Sequence, residues 1–146
     1  MTSLRIPLTN LYAKGGYTAR LFIGNKRHPV NLILDTGSSA LVVHDKTYRP
    51  QDDTHLKATP LVQDVQYGKG GWYGPVVQTS IYLGLHGHNA ELPDVAVALA
   101  SQSLVSSFLD ADGILGLAYT SLDGAFDLTT FLTDEGVEPC ESFPYV

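Results

Sequence analysis

A single carboxylate, Asp35, heads the run Asp35-Thr36-Gly37-Ser38-Ser39 and directly follows the apolar stretch Leu32-Ile33-Leu34. One carboxylate can draw a proton from water, but hydrolysis of an amide also needs an acid to polarise the carbonyl and protonate the leaving nitrogen. Two carboxylates about 3 Å apart supply both roles, because like charges that close cannot easily both ionise and one keeps its proton. The sequence holds Asp-Thr-Gly once and contains no second Asp-Thr-Gly or Asp-Ser-Gly, so it offers half of such a pair. Ser38 is placed to hydrogen-bond the Asp35 carboxylate, which would favour its charged form. Thr36 can lend a hydroxyl to a neighbouring turn, and Gly37 permits a backbone geometry and a close approach that a β-carbon would block. Taken alone, the tripeptide reads equally well as a β-turn closed by an Asx-type hydrogen bond.

Strands must hold this carboxylate in place. The run Leu32–Leu34 reads as a strand covered on both faces, so that Asp35 leaves the core already fixed. Residues 17–24 and 28–34 pair around Gly24-Asn25-Lys26-Arg27, a good hairpin turn, and Leu41 to His44 continues the sheet beyond the aspartate. Residues 45–59 lack periodicity and read as surface loop ending at Pro60. Leu61 to Gln66 leads into Tyr67-Gly68-Lys69-Gly70-Gly71-Trp72-Tyr73-Gly74, whose glycines mark a hairpin with a flexible aromatic tip. Residues 76–85 alternate apolar and polar, and 94–99 form a further apolar strand. The glycines of Ala111-Asp112-Gly113-Ile114-Leu115-Gly116-Leu117 break an apolar strand, as happens where backbones cross closely. Short helices are expected over 101–109 and over 125–135, the latter with Leu128, Phe131 and Leu132 on one face and Gly136 as its stop. The fold class is therefore expected to be mostly β with one or two short helices.

The three motifs, in this order and at about this spacing, resemble the amino-terminal lobe of a pepsin-like aspartic protease, and the likeness runs from about Arg5 to the end. This resemblance implies a lobe of packed, partly orthogonal sheets. The resemblance implies that Asp35 is the lobe's catalytic aspartate, that Thr36 interlocks with its counterpart in a second lobe, and that Ser38 bonds the aspartate. It implies a flap closing over substrate at Tyr67, with Gly68, Lys69 and Gly70 at its tip giving backbone freedom and peptide contacts. Ile33 and Ile114 match positions lining the pocket for the side chain before the scissile bond, and Gly116 matches a structural glycine beneath the active-site loop. Several departures stand out. Leu41-Val42-Val43 fills a stretch where many relatives carry the tryptophan that contacts the flap tyrosine, and Val105 and Ala111 stand where phenylalanine is common. The disulfide loop that often follows the aspartate is missing.

At 146 residues and 44% apolar composition, the chain is expected to form one domain, 1–146, too short for the two-lobed enzyme. A net charge of −6 with nine basic residues argues against a nucleic-acid surface. One cysteine, Cys140, excludes an internal disulfide framework and reads as a bystander, and neither an apolar leader nor a glycosylation sequon is present. These facts fit a cytoplasmic protein, such as a bacterial-type pepsin homologue made without a prosegment; the alternative is a secreted protein whose leader has been removed. No membrane, metal or cofactor role is expected. His86-Gly87-His88 reads as a solvated turn, since a tetrahedral site needs further placed ligands. Lys69-Gly70-Gly71 lacks the P-loop pattern. Trp72 and Tyr73 read either as substrate contacts or as packing on the lobe itself, and Asp112 as a structural carboxylate bonded to backbone.

Two functional readings follow. The first is an aspartic endopeptidase lobe whose second aspartate comes from a carboxy-terminal lobe or a symmetric partner copy, acting on a peptide or protein substrate. By the resemblance, Phe143-Pro144-Tyr145-Val146 is expected to lie about where the interlobe connection of such enzymes begins, so a fragment or an isolated lobe is expected. The alternative is an isolated lobe with no activity of its own, serving as a peptide-binding or dimerisation module.

Overall fold

The structure, a computed structural model, describes residues 5–11, 16–67, 70–84, 90–100, 102–103, 108, 110–118 and 126–127. Ten strands occur among them: β1 (Leu8–Leu11), β2 (Gly16–Ile23), β3 (His28–Asp35), β4 (Leu41–His44), β5 (Lys57–Tyr67), β6 (Gly70–Leu83), β7 (Ala90–Ala100), β8 (Gln102–Ser103), β9 (Gly113–Gly116) and β10 (Phe126–Asp127). In β2, Ala19, Leu21 and Ile23 are buried and Arg20 is exposed, the alternation expected of a sheet with one covered face. The end of β7 differs, because all six residues from Val95 to Ala100 are buried, as in a strand covered on both sides.

Pairing runs from β2 through β3, β9, β4, β7 and β6, and returns to β2 where Phe22 meets Tyr82 and Ile23 meets Ile81. This closes a six-stranded barrel and removes the free edges of those strands. Its interior is filled by Leu21, Ile23, Val30, Leu32, Val43 and Val97, each contributing about 1.5–3 kcal/mol relative to exposure. The long β6 does two jobs. Its second half closes the barrel on β2, while its first half pairs with β5 from Lys57↔Gln78 to Tyr67↔Gly70 and projects the hairpin. Its register against β7 shifts between Thr79 and Ile81, where one part gives way to the other.

The mostly β fold agrees with the sequence reading, and so do the turn at Gly24–Arg27 and the hairpin ending at Tyr67 and Gly70. Gly24 and Arg27 both take positive φ, and the Arg27 N–H donates to the Gly24 carbonyl at 2.9 Å. Three expectations need correction. The end of β3 is not covered on both faces: Val30 and Leu32 are buried, but Ile33, Leu34 and Asp35 remain partly open. The segment read as loop to Pro60 contains a 3-10 turn, Pro50–Asp52, and becomes strand already at Lys57; Pro60 falls within β5, where the register against β6 shifts between Ala58 and Val62 and a residue without an N–H is tolerated. Most of the helices expected over 101–109 and 125–135 lies outside the described residues. Within those spans, Gln102–Ser103 pairs with β6 and Phe126–Asp127 with β5 as strand.

Candidate functional site

Asp35 ends β3, and the turn that follows leads to β4, yet β3 and β4 are not neighbours. β9 lies between them, parallel to β3 and antiparallel to β4. The aspartate turn therefore passes over the end of β9 and is tied to it by backbone. Leu117 N–H donates to Asp35 O at 2.7 Å, Ala118 N–H to Ser38 O at 2.9 Å, and Gly116 N–H to Ala40 O at 3.0 Å. The glycines of β9 make this insertion possible. A β-carbon on Gly113 would sit 1.9 Å from the Val42 carbonyl oxygen, and one on Gly116 would sit 2.6 Å from that of Ser38. The close crossing read from the sequence is thus present, with the backbone of Asp35 fixed from beneath.

The carboxylate itself is held lightly. Among the described residues it accepts one hydrogen bond, from Gly37 N–H to Oδ1 at 2.9 Å, the Asx-type closure of the turn. A β-carbon on Gly37 would lie 3.3 Å from that oxygen, so the requirement here is space for the carboxylate; Gly37 is not among the positive-φ residues. Ser38 does not bond Asp35 in this arrangement: its Oγ, like that of Ser39, is shut away from solvent with no partner among the described residues. A buried hydroxyl left without a partner costs about 1–3 kcal/mol. Thr36 and Gly37 are exposed, and Leu117 beside them is 51% exposed.

Strand register gathers part of the expected site. Ile33 lies opposite Ile114 and Asp35 opposite Gly116 in the β3–β9 pair. Ile114 belongs to the core at 6% exposure, whereas Ile33 packs against it from a partly open position. Tyr67 and Gly70 pair at the end of the β5–β6 hairpin; Gly68 and Lys69 lie outside the described residues, as do His86, His88, Val105 and Cys140. Trp72 resolves in favour of packing, being 2% exposed and within the core, while Tyr73 next to it is 39% exposed. Asp112 is structural as expected, with Asn31 N–H donating to its Oδ2 at 2.8 Å. Phe108 is buried and meets the His44 ring edge-on with centroids 6.3 Å apart.

A model of the family described as eukaryotic aspartyl protease matches residues 16–135. The chain belongs to this family. The aspartyl protease relatives include the vacuolar aspartic protease of Candida albicans, 33% identical over 130 residues that cover 80% of this chain and 30% of that protein. Pepsin II-1 of Oryctolagus cuniculus is 29% identical over 127 residues, covering 78% of this chain and 32% of its own. Among solved structures, the aspartic proteinase of Irpex lacteus superposes with a TM-score of 0.69 at 28% identity, over 80% of this chain and 32% of that one. The chain thus spans about a third of the length of these aspartyl proteases, and its barrel fits one pepsin-like lobe. The expectation of a cytoplasmic protein finds no support in these names: the Candida albicans protein and a Neurospora crassa relative are both called vacuolar. Among the described residues no helix is long and apolar enough to cross a membrane.

A second acidic centre escaped the sequence reading. Asp53 sits in the segment read as loop and accepts four hydrogen bonds: from Asn25 N–H at 3.0 Å, His55 N–H at 2.9 Å, and the hydroxyls of Tyr48 and Thr79. Burial alone would raise its pKa, but these bonds outweigh it and hold the carboxyl below its usual range. Burial, then the Asp53 carboxylate, pushes the Tyr48 hydroxyl well above the ordinary tyrosine range. His55 Nδ1 also lies 2.9 Å from Ser80 Oγ, but Asp53 engages the His55 backbone rather than its ring, so the three do not form a nucleophilic triad. The signal available in the sequence was slight: an aspartate two residues before His55, in Asx-turn spacing.

Proposed function

We propose that the chain is the amino-terminal lobe of an aspartic endopeptidase, with Asp35 supplying one carboxylate of a two-carboxylate site that activates water against a peptide bond. The observation that carries this reading is the contrast at the aspartate turn, where the backbone is fixed by three hydrogen bonds to residues 116–118 while, among the described residues, the carboxylate takes one. A group positioned this firmly and satisfied this little suits a second carboxylate and a shared water. In this reading Thr36 meets its counterpart across the interface, Ser38 turns its hydroxyl to Asp35 once the partner is seated, and Ile33 and Ile114 line a side-chain pocket. The hairpin carrying Tyr67, Gly68, Lys69 and Gly70 closes over an extended peptide substrate. The second aspartate comes from a carboxy-terminal lobe or from another copy of the chain. The vacuolar names among the relatives favour a protein delivered through a secretory route over a cytoplasmic one.

One observation favours the alternative, a lobe that binds or dimerises without turnover: Leu117 is 51% exposed beside the aspartate turn, and Leu8 and Tyr17 are 56% and 54% exposed on paired strands. Such apolar surface promotes association whether or not catalysis follows. Sedimentation combined with a peptidase assay at acidic pH, run beside Asp35→Ala, separates the two. Turnover confined to the assembled species and abolished by the substitution supports the protease. An assembled species without turnover supports the module.

A further inference from the structure

We propose that the cavity at the other end of β3 is a docking site for a carboxylate side chain of an acidic peptide. The cavity has a volume of about 340 Å³ and lies between the β2–β3 turn and the segment 47–53. His28, the first residue of β3, lines it, whereas Asp35 is the last residue of the same strand. At about 3.3 Å per residue the two ends are separated by roughly 23 Å, so this site is distinct from the aspartate turn.

Its chemistry is set by three side chains without a side-chain partner among the described residues, two of them cationic. Lys26 and His28 come from the hairpin wall and Arg49 from the opposite wall; all three are exposed, and none has a side-chain hydrogen bond or ion pair among the described residues. In a chain of net charge −6, Lys26 and Arg49 line this cavity together without an ion-pair partner among the described residues. Two carboxylates also line it. Asp53 is spent, with Oδ1 taken by Asn25 and His55 and Oδ2 by Tyr48 and Thr79. Asp52 is exposed on the rim and opposes an incoming anion.

The donors left over select the kind of anion. Phosphate sites are commonly built from clustered backbone N–H groups. Here the N–H groups of Gly24, Asn25, Thr47, Tyr48, Asp52 and Asp53 are all used within the protein. Of the side chains that line it, the Arg49 fork and the Lys26 ammonium match a carboxylate, with the His28 ring beside them. The walls are rigid, because Asn25 and Asp53 staple the two loops to each other, with Thr54 N–H also donating to Asn25 Oδ1 at 3.1 Å. The volume lies at the small end of ligand pockets, about 300–1,000 Å³, and suits an acidic side chain together with the stretch of backbone that carries it.

The test is a titration of the ¹⁵N-labelled chain at low ionic strength with acetyl-tetraglutamate amide, with acetyl-tetraglutamine amide and glutarate as the other arms. The glutamate peptide should shift the amides of residues 24–28 and 47–53, and the glutamine peptide should not. Lys26→Gln and Arg49→Gln should each weaken binding about two- to five-fold, the size of one exposed charge pair, and Asp52→Asn should tighten it by a similar factor. Thermal unfolding of these surface variants should match that of the parent chain. Asp35→Asn should leave the affinity unchanged, which keeps this result independent of the reading of Asp35. Absence of binding, shifts centred on residues 35–38, weakening by Asp52→Asn, or glutarate binding as tightly as the peptide would each overturn the proposal.

Discussion

Asp35 and Asp53 are both partly buried acids in turns, and the fold treats them in opposite ways. Among the described residues, Asp53 receives four donors from three separate segments, whereas Asp35 receives one from its own turn, although the backbone of that turn is tied down three times. A carboxylate whose lone pairs are filled does structural work, and its charged form is locked in by that filling. A carboxylate held by its backbone and left open is available for chemistry. The unpartnered Ser38 hydroxyl adjacent to Asp35 belongs to the same pattern, for the fold has placed polar groups there without completing their bonds.

The comparison can be broken most severely through the backbone that fixes Asp35. Gly113→Ala puts a β-carbon against the Val42 carbonyl, with no flexible side chain to give way, and should cost about 3–5 kcal/mol or prevent folding, as read by urea denaturation. An unchanged midpoint would show that the β3–β9–β4 crossing is looser than described. Next in size, Asp53→Asn should lower stability by about 2–3 kcal/mol, because an amide cannot serve all four donors and leaves some of them unpaired. Loss of the staple between residues 25 and 53 would also appear as faster amide exchange in 45–56.

The contrast also has a pH signature. The folded-state pKa of Asp53 lies below its unfolded value, so the unfolded chain binds the proton first as pH falls. Its stabilisation is therefore complete above about pH 4, the unfolded carboxyl range, and is lost as pH drops through the lower folded-state value. Unfolding free energies measured from pH 5 downward should fall less steeply in Asp53→Asn than in the parent chain; equal slopes would remove Asp53 from the account. The smallest effect belongs to Asp35→Asn, which should change stability by less than about 0.5 kcal/mol because one local hydrogen bond is altered at a partly open site. A cost matching that of Asp53→Asn would erase the distinction between the two acids.

Much of the Asp35 side of this comparison was legible in the chain. Glycines at 113 and 116 inside an apolar run announced a backbone crossing, and the Gly-rich stretch at 67–74 announced a hairpin, because both depend on local steric rules that residue types display directly. The Asp53 side was barely legible, since beyond the Asx-turn spacing to His55 its partners Asn25 and Thr79 lie 28 and 26 residues away and reach it only through the tertiary fold. The same limit explains β3. An apolar run shows that Leu32 to Leu34 can be buried on both faces, but whether the second face is covered depends on what packs there, and within this chain it stays partly open. Trp72 was ambiguous for a related reason, as an aromatic residue next to a hairpin tip can turn inward or outward and the sequence does not record which.

The claim at the centre is that Asp35 is half of a catalytic pair and does nothing alone. Peptidase activity at acidic pH, measured against protein concentration across the monomer-to-assembly range, tests it most directly. The monomer should show no turnover. If two copies supply the pair, activity should appear only with assembly and should fall to about a quarter when half the chains carry Asp35→Ala, because both members of a symmetric pair must be intact. If a separate lobe supplies the second carboxylate, activity should appear only when that lobe is present. Turnover by a monodisperse monomer, proportional to concentration or indifferent to Asp35→Ala, would contradict the account.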